Sequence, residues 1–198
     1  MRTKKVNSDM FPDIILASAS PRREILLNEA GIKFRVVPSS LNEPEHKHLT
    51  PKEQALYHAF RKANSIAKKF PDSLVIGADT VVCLGTKLYG KPKTLREARE
   101  FLMELSGKTH QVITGVCLKC LKKKWNELFS ETTEVDFYEL DDETINLYLS
   151  KVNPMDKAGA YGIQENGELI IKQICGSYSN VVGLPMEKLL EKLSKLKP

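Results

Sequence analysis

No apolar stretch of the chain approaches the roughly 20 residues that a membrane-spanning helix needs. The start, MRTKKVNSDMFPD, has basic residues with no apolar run behind them, which is not a secretory signal; residues 1–13 read as a short flexible extension. The four cysteines carry no disulfide framework, so a reducing cytoplasm is the expected setting. There is no internal repeat and no linker that would separate domains. Residues 14–198 therefore suit one sizeable domain or a compact two-lobed one. The charge excess of +5 is modest, and several lysines lie in the tails and in Lys122–Lys124. That is no strong nucleic-acid signal; it suits a small acidic substrate equally well. With 41% hydrophobic and 28% charged residues, the composition is that of an ordinary globular protein.

What is present centres on IILASASPRR, Ile14–Arg23. The apolar triplet Ile14–Leu16 predicts a short buried strand. It breaks into small residues, with Ser20 as helix N-cap and Pro21 at the first helical position. EILLNEAG then repeats apolar residues at helical spacing until Gly31. Arg22 and Arg23 thus fall in the first turn of a helix, where the dipole favours acids. One reading is a site for a multiply charged anion such as a polyphosphate; the other is that the arginines are solvated or pair with acids.

Lys33–Val37 predicts a second strand near the first, followed by a polar loop, Ser39–Leu49, that carries Glu43, His46 and His48. Two histidines without further ligands read as solvated loop residues rather than a metal site. Thr50, Pro51 and Glu53 form a capping box that opens a long helix. Its alanines keep it narrow, and Lys62 either reaches inward past Ala59 and Ala63 or lies on an exposed basic face. Leu74–Leu84, LVIGADTVVCL, has the pattern of a central strand, yet Asp79 and Thr80 sit inside it. A carboxylate there must be paired or metal-bound; at the site of a reaction it can hold a divalent ion or take a proton from water. Gly77 predicts a bulge or close backbone approach just before it.

Tyr89–Pro92 reads as a turn carrying Lys91, and Thr94 with Glu97 as a second capping box on a helix ending at Leu105. SGKT at Ser106–Thr109 is not a phosphate loop, because Leu102 stands where the pattern needs glycine and the segment closes a helix. Gln111–Leu121 and Trp125–Leu140 predict a long antiparallel hairpin. Cys117 and Cys120 on it face opposite sides, which excludes shared zinc or redox use. Asp141 caps a short helix. The loop Asp156–Gly162 is rich in small residues that let backbone approach a ligand. Asn166-Gly167 predicts a hairpin turn joining Ile163–Glu165 to Leu169–Cys175. Ser177–Leu184 reads as a second glycine-bearing loop, and Pro185 starts the last helix.

Six segments taken together, SASPRR, GADTVV, GKP, SGKTHQVITGV, DKAGAYGIQ and NVVGLP, occur in an order that resembles the Maf family of nucleoside triphosphate pyrophosphatases. They span nearly the whole chain after the first dozen residues. The resemblance implies an α/β fold similar to the inosine triphosphatases (Maf/Ham1), with two lobes around a mixed β-sheet, flanking helices and a cleft between the lobes. It implies hydrolysis of a nucleoside triphosphate to monophosphate and pyrophosphate, a divalent cation (Mg or Mn), and a cytoplasmic homodimer with neither membrane nor nucleic-acid partner. The branch acting on dTTP and UTP carries the residues that stand here as Arg22, Thr80 and Gln164. On this reading Asp79 is the general base or holds the ion, Glu43 shares the ion, and Ser18, Arg23, Lys62 and Lys91 bind the phosphates. Arg22, Thr80 and Gln164 read the pyrimidine. One departure is that Ser39–Glu43 reads SSLNE where the family has SDIDE, leaving Glu43 as the single acid of that segment. Two further readings stay open: a regulator that binds nucleotide or nucleic acid without turnover, and the same fold acting on modified purine triphosphates.

Overall fold

A computed structural model describes residues 13–44, 46 and 48–195. The expected extension over residues 1–13 lies, but for Asp13, outside the described residues. The elements run β1 (Ile14–Leu16), α1 (Pro21–Glu29), β2 (Arg35–Val36), α2 (Pro51–Ala67), β3 (Leu74–Leu84), β4 (Lys87–Tyr89), α3 (Leu95–Leu105), β5 (Thr109–Cys120), β6 (Trp125–Phe137), α4 (Asp142–Lys151), β7 (Ile171–Cys175), α5 (Tyr178–Val182) and α6 (Met186–Ser194). Seven strands form one open mixed sheet in the order β2-β1-β3-β5-β6-β7, with β4 also on β3. Strands β2, β1 and β3 are parallel, and the remaining pairings are antiparallel. No described helix is long and apolar enough to cross a membrane.

β3 is the strand on which the site depends. One of its edges pairs with β5 from Val75 to Cys83. The other edge is shared: β1 covers Leu74–Ile76 and β4 covers Val82–Leu84. Between them the sheet forks, and Gly77–Val81 face an opening. Side chains alternate across a strand, so Asp79 and Thr80 point to opposite faces, and the fork lets both reach one space.

The faces are filled differently. On one, α2 lies against Ile15, Val75 and Cys117 through Ala59, Ala63 and Ile66. It packs unusually close. A Cβ on Gly77 would lie 2.3 Å from the Ala59 carbonyl oxygen, and one on Gly115 2.5 Å from Ala55 backbone. The close approach read from Gly77 is therefore that of a helix. On the other face there are two apolar clusters. Leu16, Ile76, Ala78 and Leu118 pack under α1 and α6, while Val82, Val112 and Val135 pack under α3 and α4. Thr80 on β3 and Thr114 on β5 lie at the boundary between them. These two clusters are the physical content of the two-lobed, mixed-sheet expectation.

Four local expectations need correction. Ser20 occupies the N-cap of α1 but its side chain makes no capping hydrogen bond, whereas the Thr50–Glu53 box on α2 is complete. At α3, Thr94 caps Glu97, but the Glu97 carboxylate accepts from Lys93 N rather than closing the box on Thr94. Asn166 does take the left-handed conformation, yet no hairpin follows. Gly167–Leu169 is a 3-10 turn, and β7 pairs with β6 instead. The free edge of a thirteen-residue strand offers β7 a longer ladder than three residues at Ile163–Glu165, and Glu165 is drawn away to Lys157. Ser177–Leu184 is not a loop: Ser177 caps the short helix α5, which Gly183 ends at φ 128°.

Candidate active site

The fork opens into a cavity of about 650 Å³. Every residue that the sequence marked lines it: Ser18, Arg22, Arg23, Glu43, Lys62, Asp79, Thr80, Lys91 and Gln164. They come from six separate stretches of chain, brought together by the crossover from β1 through α2 to β3, by the turn after β4 and by the loop after α4.

On the α2 face, Lys62 is buried, not exposed. Its Nζ pairs with Asp79 Oδ1 at 2.8 Å and Glu43 Oε2 at 2.9 Å, and lies 3.4 Å from the Ala78 carbonyl. The side chains of Lys62 and Asp79 are 10% and 11% exposed, so each is costly without the other. Alanines on α2 and glycines on the sheet bring the helix axis close enough for this contact. Of the two readings of Lys62, the inward one holds.

On the opposite face, Arg23 is buried and held by three hydrogen bonds. Its Nε donates to Gly183 O at 2.7 Å, NH1 to Ser18 Oγ at 2.8 Å, and NH2 to Thr80 Oγ1 at 2.9 Å. Burial holds its pKa below the ordinary arginine value, and the charges of Asp79 and Glu43 act against that. Three of the five guanidinium protons are thus taken, and two are left for an anion. The polar layer continues inward. Thr80 meets Thr114 at 2.9 Å, and Thr114 donates to Asn180 O at 3.1 Å. Asn180 Nδ2 in turn donates to Val112 O and Thr133 Oγ1. The NVVGLP segment therefore acts as a buttress: its Gly183 and Asn180 carbonyls orient Arg23 and Thr114.

Arg22 crosses the opening to the loop after α4, donating from NH1 to Asp156 Oδ2 at 2.7 Å and from NH2 to Asp156 O at 3.1 Å. It does pair with an acid, one 134 residues away. Asp156 also receives Lys157 Nζ at 2.9 Å, and Lys157, buried, reaches Glu165 at 3.0 Å. Burial opposes ionisation of Asp156, but the hydrogen bonds from Lys157 and Arg22 outweigh it and hold its carboxyl below the usual value. Gly159, at φ 71°, anchors this loop by donating to Gly90 O, beside Lys91. Behind it, Tyr161 packs on His110, whose Nε2 lies 2.7 Å from the tyrosine oxygen. Gln164 stands on the exposed rim of the cavity, next to Glu165.

Sequence reasoning missed the pairing roles of Asp156 and Lys157, singled out only as part of a small-residue loop. It also left Gln54 and His58 unmarked, although both line the cavity. The signal for them is spacing: Gln54, His58 and Lys62 recur every four residues and share one helix face. His46 is also not simply solvated; its ring packs 5.0 Å from Tyr57 and 5.8 Å from His58.

Comparison with known proteins agrees with this geometry. The family model described as Maf-like protein matches residues 13–196. A dTTP/UTP pyrophosphatase of Bacillus velezensis is 44% identical over 186 residues, covering 94% of this chain and 97% of its own. One from a Geobacillus strain is 44% identical over 183 residues, covering 92% and 97% respectively. A third, from Bacillus cytotoxicus, is 44% identical across 91% of this chain and 94% of its own. The match runs across nearly every element described above, and on it the chain belongs to the Maf family.

Proposed function

We propose that the protein is a nucleoside triphosphate pyrophosphatase that hydrolyses dTTP and UTP to the monophosphate and pyrophosphate. The observation that carries this reading is the juxtaposition, in one cavity, of a buried carboxylate at Asp79 with cations drawn from three other elements. A cavity of about 650 Å³ is of the size that holds a small organic ligand. The names of the full-length relatives point to the same substrates.

The reaction is water attack on the α-phosphorus with departure of pyrophosphate, and it depends on positioning and charge rather than on covalent catalysis. Asp79 Oδ1 is committed to Lys62, so Oδ2 is the oxygen that takes the proton of the attacking water or holds an ion. Arg22, Arg23, Lys91 and the start of α1 neutralise the triphosphate and the charge that develops on the leaving pyrophosphate. Ser18 acts one step back, by fixing Arg23. Thr80, Gln164 and Arg22 face the base; the Gln164 amide both donates and accepts, as a pyrimidine edge requires.

A divalent ion such as Mg or Mn fits the donor set. Asp79 and Glu43 are hard oxygen ligands that converge on one ammonium, and among the described residues no cluster of three or more metal-binding side chains forms a closed cage. Two carboxylates completed by substrate phosphates is the ordinary arrangement for magnesium. Bound there, the ion would polarise the phosphoryl oxygens and acidify water. A binder without turnover is not favoured, because Asp79 and Glu43 would repel phosphates if no cation were used. The homodimer and the cytoplasmic setting belong to the same proposal, and sedimentation of the purified protein tests the former.

A panel of triphosphates with magnesium or manganese, scored by pyrophosphate release, tests the reading. dTTP and UTP should lead, and Asp79→Asn should abolish turnover while circular dichroism stays unchanged. Full dTTP hydrolysis by that variant would remove Asp79 from the mechanism. Binding without pyrophosphate release would favour the regulator instead.

A further inference from the structure

The loop between β2 and α2 has no strand or helix of its own, yet its described residues run antiparallel along α2 and are gripped at successive helical turns. Ser65 Oγ meets Ser39 Oγ at 3.2 Å, and Arg61 NH1 donates to Asn42 O at 3.1 Å. Lys62 takes the Glu43 carboxylate at 2.9 Å. One turn earlier, His58 Nε2 donates to Pro44 O at 3.1 Å, and a further turn earlier Gln54 Oε1 accepts from His46 N at 2.7 Å. From Ser65 down to Gln54 the partners run from Ser39 to His46, so the loop is strapped to one face of α2.

We propose that His58 is a positioning residue for Glu43: by holding the Pro44 carbonyl it sets the neighbouring carboxylate against Lys62 at the mouth of the cavity. The inference rests on the reading of Glu43 as a carboxylate that serves the triphosphate reaction. Its physical basis is an imbalance. The Glu43 side chain is 42% exposed, and an ion pair so open to water holds a long side chain weakly. Pro44 has no N–H, so its carbonyl is the one backbone hydrogen-bonding group that residue can offer. His58, 3% exposed and also lining the cavity, supplies the donor from a rigid helix. A carbonyl only accepts, so Nε2 carries the proton, and Nδ1, buried without a partner, is the bare nitrogen of the neutral ring. Burial keeps the ring below its ordinary pKa, the charges of Asp79 and Glu43 opposing. Protonation of Nδ1 would leave the Nε2 contact in place, so this rung is a mechanical one and not a pH switch.

The test uses His58→Leu, which keeps bulk without a donor, and His58→Gln, which keeps a donor. In the nucleotide-free and metal-free protein, exchange of the Leu41 and His46 amides, whose N–H groups donate to Ser39 Oγ and Gln54 Oε1, should quicken about tenfold in H58L and stay near wild type in H58Q. In steady state with dTTP, H58L should lower kcat/KM about tenfold, and it should cost nothing further when added to Glu43→Gln, as coupled residues require. Unchanged exchange in H58L, loss of protection in H58Q despite a wild-type melting curve, or an H58L loss that adds in full to that of E43Q would overturn the proposal. A fully active E43Q would instead overturn the catalytic reading of Glu43, while the exchange data still report whether His58 holds the loop.

Discussion

Replacing Lys62 by methionine isolates the ion cluster that the cavity is built on. Methionine keeps most of the aliphatic stem and removes the charge. Asp79, its side chain 11% exposed, then loses its direct partner, whereas Glu43, 42% exposed, can turn to water. Stripping one partner from a buried pair costs about 3–5 kcal/mol. The lower end applies here, because the Arg23 charge still acts on Asp79. A loss of about 3 kcal/mol in a chain of this length lowers the melting temperature by roughly 6–12 °C. Melting in chelator should show this drop. Magnesium should then narrow the gap, since an ion held by Asp79 and Glu43 no longer competes with an ammonium; at a hundredfold excess over its Kd, binding restores about 2.7 kcal/mol. A K62M protein that melts within about 2 °C of wild type in chelator would refute the claim that this pair is desolvated and mutually dependent.

Gly77→Ala should lose about 3 kcal/mol or fail to fold, because the new methyl meets the Ala59 carbonyl oxygen at 2.3 Å and neither backbone can move freely; chemical denaturation measures it. His110 gives a pH signature. Burial depresses its pKa to about 4 from 6.5, so the unfolded chain takes up a proton between those values that the folded one does not. Stability should therefore be intact above pH 6.5 and fall by about 3 kcal/mol towards pH 4, and His110→Phe should flatten that part of the profile. Gln164→Glu should alter the ratio of dTTP to purine triphosphate turnover by about tenfold or more, with smaller change in the total rate; an unchanged profile would argue against its reading role.

The parts legible in the sequence are those that local chemistry decides. β3 is read to its end residues, because an eleven-residue run, apolar or small but for Asp-Thr, admits few other assignments. The capping box at Thr50 and the opposite-facing Cys117 and Cys120 follow from period and spacing alone; the cysteines pack in separate clusters on either face. Illegible from residues alone was the direction of Lys62. A lysine among alanines looks the same whether it meets solvent or a carboxylate 17 positions away, and the resemblance assigns Lys62 to the phosphates without naming Asp79 as its partner. The fate of Asn166-Gly167 was illegible for a related reason. A good turn sequence specifies a turn, but the strand that pairs is chosen by the free edges elsewhere in the sheet, here that of β6. The grip of α2 on the Glu43 loop also lies beyond local reading, since it uses backbone carbonyls as often as side chains.

The carboxylate of Asp79 and the hydroxyl of Thr80 stand on neighbouring residues of one extended strand. About 3.3 Å of chain and the pleat alone set their offset. Whatever the helices on either side and the ring of lysines and arginines do around a guest, the spacing of these two backbone positions is a covalent ruler. The carboxylate proposed to serve the attacking water and the hydroxyl that steadies Arg23 keep the spacing of their backbone positions through any breathing of the two walls.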